Sequence, residues 1–123
     1  MDLEDGIPWE DGRYTGSLSA TGRPHGFGKF CSRTDFYEGL FSDGRYHGHG
    51  IQHKGDARYE GQFQEGKRHG QGKLHVHGRV FTGTFINDKA SGHGTLRNSD
   101  GKILFDGPIG DGKLSTQIAG WRC

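Results

Sequence analysis

The sequence has few cysteines and no long apolar segment, and each shortage excludes a class of protein. It contains 2 cysteines, Cys31 and Cys123, among 123 residues, too few for the disulfide framework of a small secreted domain. No apolar run approaches the roughly 20 residues that span a bilayer. The acidic start MDLEDGIPWEDG lacks the basic and apolar parts of a signal peptide. We therefore expect a soluble, cytoplasmic protein.

Apolar residues and net charge are also scarce, whereas glycine is abundant. Hydrophobic residues make up 29% of the chain, too little for a thick two-layer core, and the formal net charge of +1 gives no field that concentrates nucleic acid. The 24 glycines follow no triplet period, which excludes collagen, and 11% aromatic residues is high for a disordered linker. The glycines therefore belong to an ordered structure, and no nucleic-acid partner is expected.

A repeated pattern accounts for the glycines. An aromatic residue leads each of five copies, with steps of 22 to 24 residues between copies. A glycine follows two positions after each lead aromatic, and an apolar residue two positions later, as in Tyr59, Gly61 and Phe63. Because side chains alternate along a β-strand, these three positions lie on one face. The lead aromatics are Tyr14, Tyr37, Tyr59, Phe81 and Phe105.

Each copy continues through a turn into a second strand. That strand contains paired glycines, such as Gly70 and Gly72, and it is apolar on the matching face except at Gln52. No helical period appears. We therefore predict an all-β protein, a single-layer elongated antiparallel sheet of about five stacked β-hairpins. Turn residues with positive φ are predicted at Gly22, Gly44, Gly66, Asp88 and Gly112.

The third copy, YEGQF-x-x-G-x-x-HGQG, resembles the MORN (membrane occupation and recognition nexus) repeat. The resemblance covers roughly residues 14–114. It implies a slightly twisted sheet with aromatic residues along one concave face, and a setting in the cytoskeleton, including cilia, flagella and sperm. The HGxG element is intact in three copies, becomes SGHG in the fourth and is absent from the fifth. Its three intact examples are His25–Gly28, His47–Gly50 and His69–Gly72.

The repeat divides the chain into three parts. Residues 1–13 resemble the closing half of a repeat and are expected to cap the array, with Trp9 placed to cover the first ring. The array occupies residues 14–113, with copies that start near residues 14, 37, 59, 81 and 105. Residues 114–123 have lost the repeat and are expected to form a closing strand or tail.

The polar residues do not indicate a phosphate-binding, metal-binding or catalytic site. The glycine-rich loops lack the lysine and the helix N-terminus of a phosphate site. His47 with His49, and His75 with His77, share strand faces, but no further ligand completes a tetrahedral metal site. The histidines of the HGxG column are expected to be structural turn residues. Acids and bases recur once per copy without a nucleophile beside an oriented base, so no enzyme activity, metal or cofactor is expected.

The aromatic face is the predicted site of partner binding. A single sheet has nothing of its own to cover these rings, and such apolar surface commonly marks an interaction site, although rings beside glycine partly cover one another. An amphipathic helix or a second MORN sheet is the expected partner. Phe63→Ala with Phe85→Ala is therefore predicted to abolish partner capture in a folded protein. The predicted binding residues are Tyr14, Tyr37, Phe41, Tyr59, Phe63, Phe81, Phe85 and Phe105.

Two alternatives remain open from the sequence. A row of cations follows the turns and is a candidate for weak contact with anionic lipid headgroups. An acidic row that includes Asp43 and Glu65 lies beside it, which favours an ordinary solvated rim. The open ends of the sheet make self-association the second alternative. The cationic row consists of Arg23, Arg45, Lys67, Lys89 and Lys113.

Overall fold

The computed structural model describes residues 6–109 as one antiparallel β-sheet. Ten strands follow one another in chain order across it, so the predicted single-layer sheet of hairpins is confirmed. None of the residues described belongs to a helix long and apolar enough to cross a membrane. The strands are β1 (Ile7–Trp9), β2 (Gly12–Leu18), β3 (Pro24–Cys31), β4 (Asp35–Ser42), β5 (Arg45–Lys54), β6 (Ala57–Gln64), β7 (Lys67–Val76), β8 (Arg79–Ile86), β9 (Lys89–Arg97) and β10 (Ile103–Ile109).

The strands correspond to the copies in the sequence. Strands β2 and β3 form the first copy, each following pair forms the next, and β10 begins the fifth. In the predicted N-terminal cap, β1 pairs with β2 and places Pro8 on the outermost described strand, where a missing N–H is tolerated. The predicted closing strand (114–123), the turn at Gly112 and the cation Lys113 lie outside the described residues.

A line of glycines crosses nine strands of the sheet. Gly39, Gly61 and Gly83, each two positions after a lead aromatic, pair with the second glycine of a GxG element on both neighbouring strands. Gly16 and Gly107 pair with one such glycine each. The absence of side chains there is required, because a Cβ atom on Gly39 would lie 2.5 Å from the Cα atom of Gly50. We call this line the glycine ladder; it consists of Gly16, Gly28, Gly39, Gly50, Gly61, Gly72, Gly83, Gly94 and Gly107.

The first glycine of each GxG element lies outside the glycine ladder, in a β-bulge. In the third copy, two positions separate Gly61 from Phe63, whereas four separate their partners Gly72 and Arg68. Gly70 lies between those partners with a φ of +106°, a conformation that a side chain disfavours. The bulge bends the hairpin, so that its tip no longer continues the plane of the sheet.

The hairpin tips are bound to the preceding copy. Asp43 and Gly44 have φ values of 49° and 88°, as a two-residue type I′ turn requires. The backbone N–H of Gly44 then donates to the carbonyl of Pro24 at 2.8 Å, and the same bond recurs from Gly66 to Tyr46 at 2.9 Å. With the bond from Asp88 to Arg68 at 2.9 Å, these bonds join the tips of the first four copies to one another.

The HGxG histidines also hold the tips, which confirms a structural role for two of them. The Nδ1 atom of His25 accepts a hydrogen bond from the backbone N–H of Asp43 at 3.2 Å. His69 accepts from Asn87 in the same way at 3.4 Å. Each bond reaches from one copy to the turn of the next, so the histidine column connects neighbouring copies.

Candidate partner-binding face

The lead aromatics lie flat on the glycine ladder, on what we call the inner face of the sheet. The Tyr59 ring occupies the space above Gly72, where a Cβ atom would overlap it, and Tyr37 lies over Gly50 in the same way. The hydroxyl of each lead tyrosine donates to the backbone carbonyl three positions later on its own strand. For Tyr37 the acceptor is the Leu40 carbonyl at 2.7 Å. The ladder therefore fixes both the position and the orientation of these rings.

The phenylalanines two positions after the ladder glycines join the lead rings into one chain. Phe63 lies edge-to-face against Tyr59 of its own copy and against Tyr37 of the preceding copy, with both centroid distances at 5.1 Å. Phe41 and Phe85 repeat this arrangement. Edge-to-face packing is a preferred geometry of aromatic pairs. The core is thus a continuous zigzag of rings along the array.

The first inner-face residue after the hairpin turn covers the lead ring in the second and third copies. Tyr46 stacks on Tyr37 with a centroid distance of 3.8 Å and an interplanar angle of 7°. Arg68 places its guanidinium carbon 5.7 Å from the Tyr59 centroid. Pro24 and Ala90 hold the same register position in their copies and are buried. We call these four the cap residues.

The aromatic surface, which the sequence left either open or self-covered, is therefore covered by the protein's own residues. Tyr37, Phe81 and Phe85 are each 0% exposed; Tyr37, for example, lies between Gly50 of the ladder below it and the Tyr46 ring above it. Phe105 alone among the eight predicted binding residues is half-buried. The structure brings the eight together as one core cluster, but it leaves little of their surface for a partner. Seven of them are buried: Tyr14, Tyr37, Phe41, Tyr59, Phe63, Phe81 and Phe85.

Burial shifts the pKa values of all four tyrosine hydroxyl groups. Burial raises the pKa of Tyr14, Tyr37 and Tyr46, and it raises the pKa of Tyr59 to about 12 against the lowering effect of Arg68. Since the folded pKa values exceed the unfolded value of 10.0, the contribution to stability is complete below pH 10 and is lost as the pH rises toward the folded values.

We expect the folded protein to show no tyrosine ionisation around pH 10, and to ionise its tyrosines only as it unfolds at higher pH. The chain has 4 tyrosines in all, so no exposed tyrosine obscures the result. Tyrosinate absorbance and circular dichroism, followed together against pH, measure it. The urea-unfolded chain, which should titrate near pH 10, is the control. Ionisation near pH 10 with native circular dichroism would contradict the burial described here.

A polar cluster on the inner face explains why the second copy departs from the apolar pattern at Gln52. Its side-chain amide donates to Asp35 Oδ1 at 3.1 Å, and the Tyr46 hydroxyl donates to Asp35 Oδ2 at 2.5 Å. Burial and then Asp35 raise the pKa of Tyr46. The departure at Gln52 was visible in the sequence, but its partner Asp35 was not, because the residue type at that column changes in every copy.

The accessible part of the inner face is a groove of about 300 Å³ near the N-terminal end. The indole of Trp9 lies against the second copy's turn, where a Cβ atom on Gly44 would come within 2.7 Å of its Cζ2 atom. Phe30 and Tyr46 form further aromatic walls, and Glu10, Asp11 and Arg45 supply charged groups. We call this the Trp9 groove. Phe41 also lines it and was among the predicted binding residues, whereas Trp9, Phe30 and Tyr46 were not.

Two of the four cations of the row that the structure describes are paired with carboxylates. Arg23 pairs with Asp43 of the next copy, and Arg45 with Glu65, with N–O distances of 3.6 Å in both cases. Exposed pairs of this kind contribute little stability. However, the carboxylates offset the positive charge that would attract anionic lipid. Lys67 and Lys89 form no ion pair within residues 6–109. The rim is mixed in charge, as the acidic row beside the cations suggested.

Away from the Trp9 groove, the described residues form a second groove but no metal site. A larger groove of about 680 Å³ lies at the opposite ends of the strands, among residues 32–36, 53–57 and 76–77, with lining groups of both charges. Of its two carboxylates, Asp35 and Asp56, the first already accepts hydrogen bonds from Tyr46 and Gln52. In the part of the chain described, no three histidine, cysteine, aspartate or glutamate side chains are grouped so that they could hold a metal ion.

The fold and the inner face define a class of protein, a repeat protein built from β-hairpins in one open sheet. The sequence profile of the MORN repeat matches residues 22–34, 37–56, 59–75 and 81–103, which is more than half of the chain. The chain belongs to the MORN-repeat family. This is a non-catalytic family whose repeats generally mediate contacts with proteins or membranes. No curated protein matches the chain.

Proposed function

We propose that this protein is a non-catalytic scaffold that binds a protein partner on its inner face, at the Trp9 groove rather than at the buried rings. The observation that supports this is a groove on the inner face in which two accessible aromatic side chains, Trp9 and Tyr46, lie together. Trp9 and Tyr46 are only half-buried, and aromatic residues of this kind are enriched where proteins bind one another. A groove bounded by a hairpin turn also gives a partner defined walls.

The membrane alternative has less support. Two of the four described cations in the row are engaged by carboxylates of the next copy, and the net charge of +1 supplies no compensating attraction. That alternative requires the protein to sediment with anionic vesicles at about 0.15 M salt. A cytoplasmic, cytoskeletal or ciliary setting remains a proposal that rests on the family resemblance. Fluorescence microscopy of the tagged protein against cytoskeletal markers tests it.

We expect Trp9→Ala to weaken partner binding about thirtyfold, the effect of losing about 2 kcal/mol at an interface hot spot. A photo-crosslinking residue in place of Arg45, which lines the groove, first identifies the partner in cells. Binding of that purified partner to the wild type and to Trp9→Ala is then measured. Circular dichroism and thermal unfolding of the variant show whether the array remains folded.

Phe27→Ala is the matched control, because Phe27 is a 55% exposed aromatic side chain that is absent from the groove lining. It should bind the partner as the wild type does. If Trp9→Ala binds normally, or if a crosslinking residue in place of Phe27 captures the same partner more efficiently, the inner-face proposal is wrong.

A further inference from the structure

The Trp9 groove combines aromatic walls with carboxylates that have no ion-pair partner among the described residues. Trp9, Phe30 and Tyr46 line it, and the turn residues Glu10 and Asp11 contribute their side chains to the same lining. Neither carboxylate forms an ion pair with any residue in the range 6–109. The rim differs, because its carboxylates Asp43 and Glu65 are paired with Arg23 and Arg45.

The charge balance of this lining is negative. Its cation Arg45 is engaged by Glu65, with Nη1 at 3.6 Å from Oε1, so it does not compensate Glu10 or Asp11. The field of Asp11 reaches the aromatic wall, because it adds to burial and to Asp35 in raising the pKa of Tyr46. One face of the Tyr46 ring is already covered by Tyr37. The negative faces of aromatic rings and the carboxylates both attract a cation.

We infer that the Trp9 groove receives the cationic side chain of a partner protein, a lysine or arginine presented by an extended segment. The inference rests on the proposed function and names the chemistry of the partner. The aliphatic stem of such a side chain contacts the rings while its charged end faces the carboxylates. An anionic side chain would be repelled by Glu10 and Asp11. A neutral apolar anchor would leave those carboxylates unused.

Capped tripeptides test this with a defined probe. The peptides are acetyl-Gly-Lys-Gly-amide, its arginine equivalent, and acetyl-Gly-Nle-Gly-amide, in which norleucine keeps the stem and removes the charge. Binding to the full-length protein is followed by the NMR shift of the Trp9 indole N–H, assigned with Trp9→Phe. We expect the cationic peptides to bind at least about fivefold more tightly than the norleucine peptide at low salt. This preference should shrink as salt rises.

A double variant that removes both carboxylate charges of the groove gives a second test with the same peptides. Glu10→Gln with Asp11→Asn should remove the preference for the cationic peptides, while the weaker binding of the norleucine peptide persists. The matched control is Glu38→Gln with Asp106→Asn, because these carboxylates bond Lys29, Thr95 and His93 away from the groove. The control variant should retain the wild-type preference.

The outcomes separate this inference from the proposed function. Equal binding of the cationic and norleucine peptides, binding of neither, or a preference that survives Glu10→Gln with Asp11→Asn would overturn the cation assignment. If Trp9→Ala still loses the partner in that case, the proposed function stands without the inference. If Trp9→Ala keeps the partner, the proposed function fails whatever the peptides do.

Discussion

Gly72→Ala is expected to lower the free energy of unfolding by about 3 kcal/mol or more, the upper range for overpacking a core. The added Cβ atom would overlap the Tyr59 ring. That ring has no room to withdraw, because Phe63 and Phe85 hold it edge-to-face at 5.1 and 5.0 Å. In a domain of about 100 residues this loss corresponds to a fall of roughly 15 °C in Tm. Chemical and thermal unfolding followed by circular dichroism measure it.

Gly107→Ala is the matched control within the same ladder. Among the described residues, its Cβ atom would meet only the Phe105 ring, at an ordinary contact distance of 3.6 Å, and its φ is not positive. Alanine also reduces the conformational entropy of the unfolded chain, so the change should be neutral or slightly stabilising. Equal destabilisation by the two substitutions would mean that the overlap with the lead ring does not decide the requirement for glycine.

Phe63→Ala with Phe85→Ala is expected to unfold the protein, the opposite of what the sequence pattern predicts. Each truncation of a buried phenylalanine costs about 3 to 5 kcal/mol. Both residues contact Tyr59, so the two losses fall on one cluster and need not add simply. The combined cost approaches the entire stability of a typical domain, about 5 to 15 kcal/mol. Circular dichroism should show loss of the sheet.

A pair of exposed apolar residues provides the comparison. Phe27 and Ile86 are 55% and 48% exposed, so Phe27→Ala with Ile86→Ala should change the free energy of unfolding by less than about 1 kcal/mol. A folded, cooperatively unfolding Phe63→Ala, Phe85→Ala variant would show that the zigzag of rings is not the core.

The repeat predicts the sheet because the same physical requirement recurs at the same place in every copy. Gly72 and its equivalents remain glycine wherever a ring lies above them, and the turn residues Gly44 and Gly66 recur with the positive φ that was predicted. Strand order, hairpins and turn positions therefore follow from the period alone. The two glycines of each GxG element looked equivalent in the sequence, but one forms the bulge and the other lies under a ring.

The covering of the rings could not be predicted in this way, because the cap column carries a different residue in each copy. A proline, a tyrosine, an arginine and an alanine share only their position after the turn. Their placement depends on the bent tip, which is fixed by backbone bonds such as that from Gly44 to Pro24. The Trp9 groove was missed for the same reason, since it joins Trp9 and Asp11 to the second copy's tip at Gly44.

The zigzag of rings has a consequence for cooperativity. Phe41, Phe63 and Phe85 each touch one lead ring of their own copy and one of the copy before. The ring contacts between copies are therefore as numerous as those within them. A single inner hairpin excised from the array would lose the ring contacts that its lead aromatic and its phenylalanine make to both neighbouring copies and keep only the one between those two rings, which is too little for independent stability. The smallest folding unit is consequently a run of neighbouring copies, and the array melts as a block rather than hairpin by hairpin.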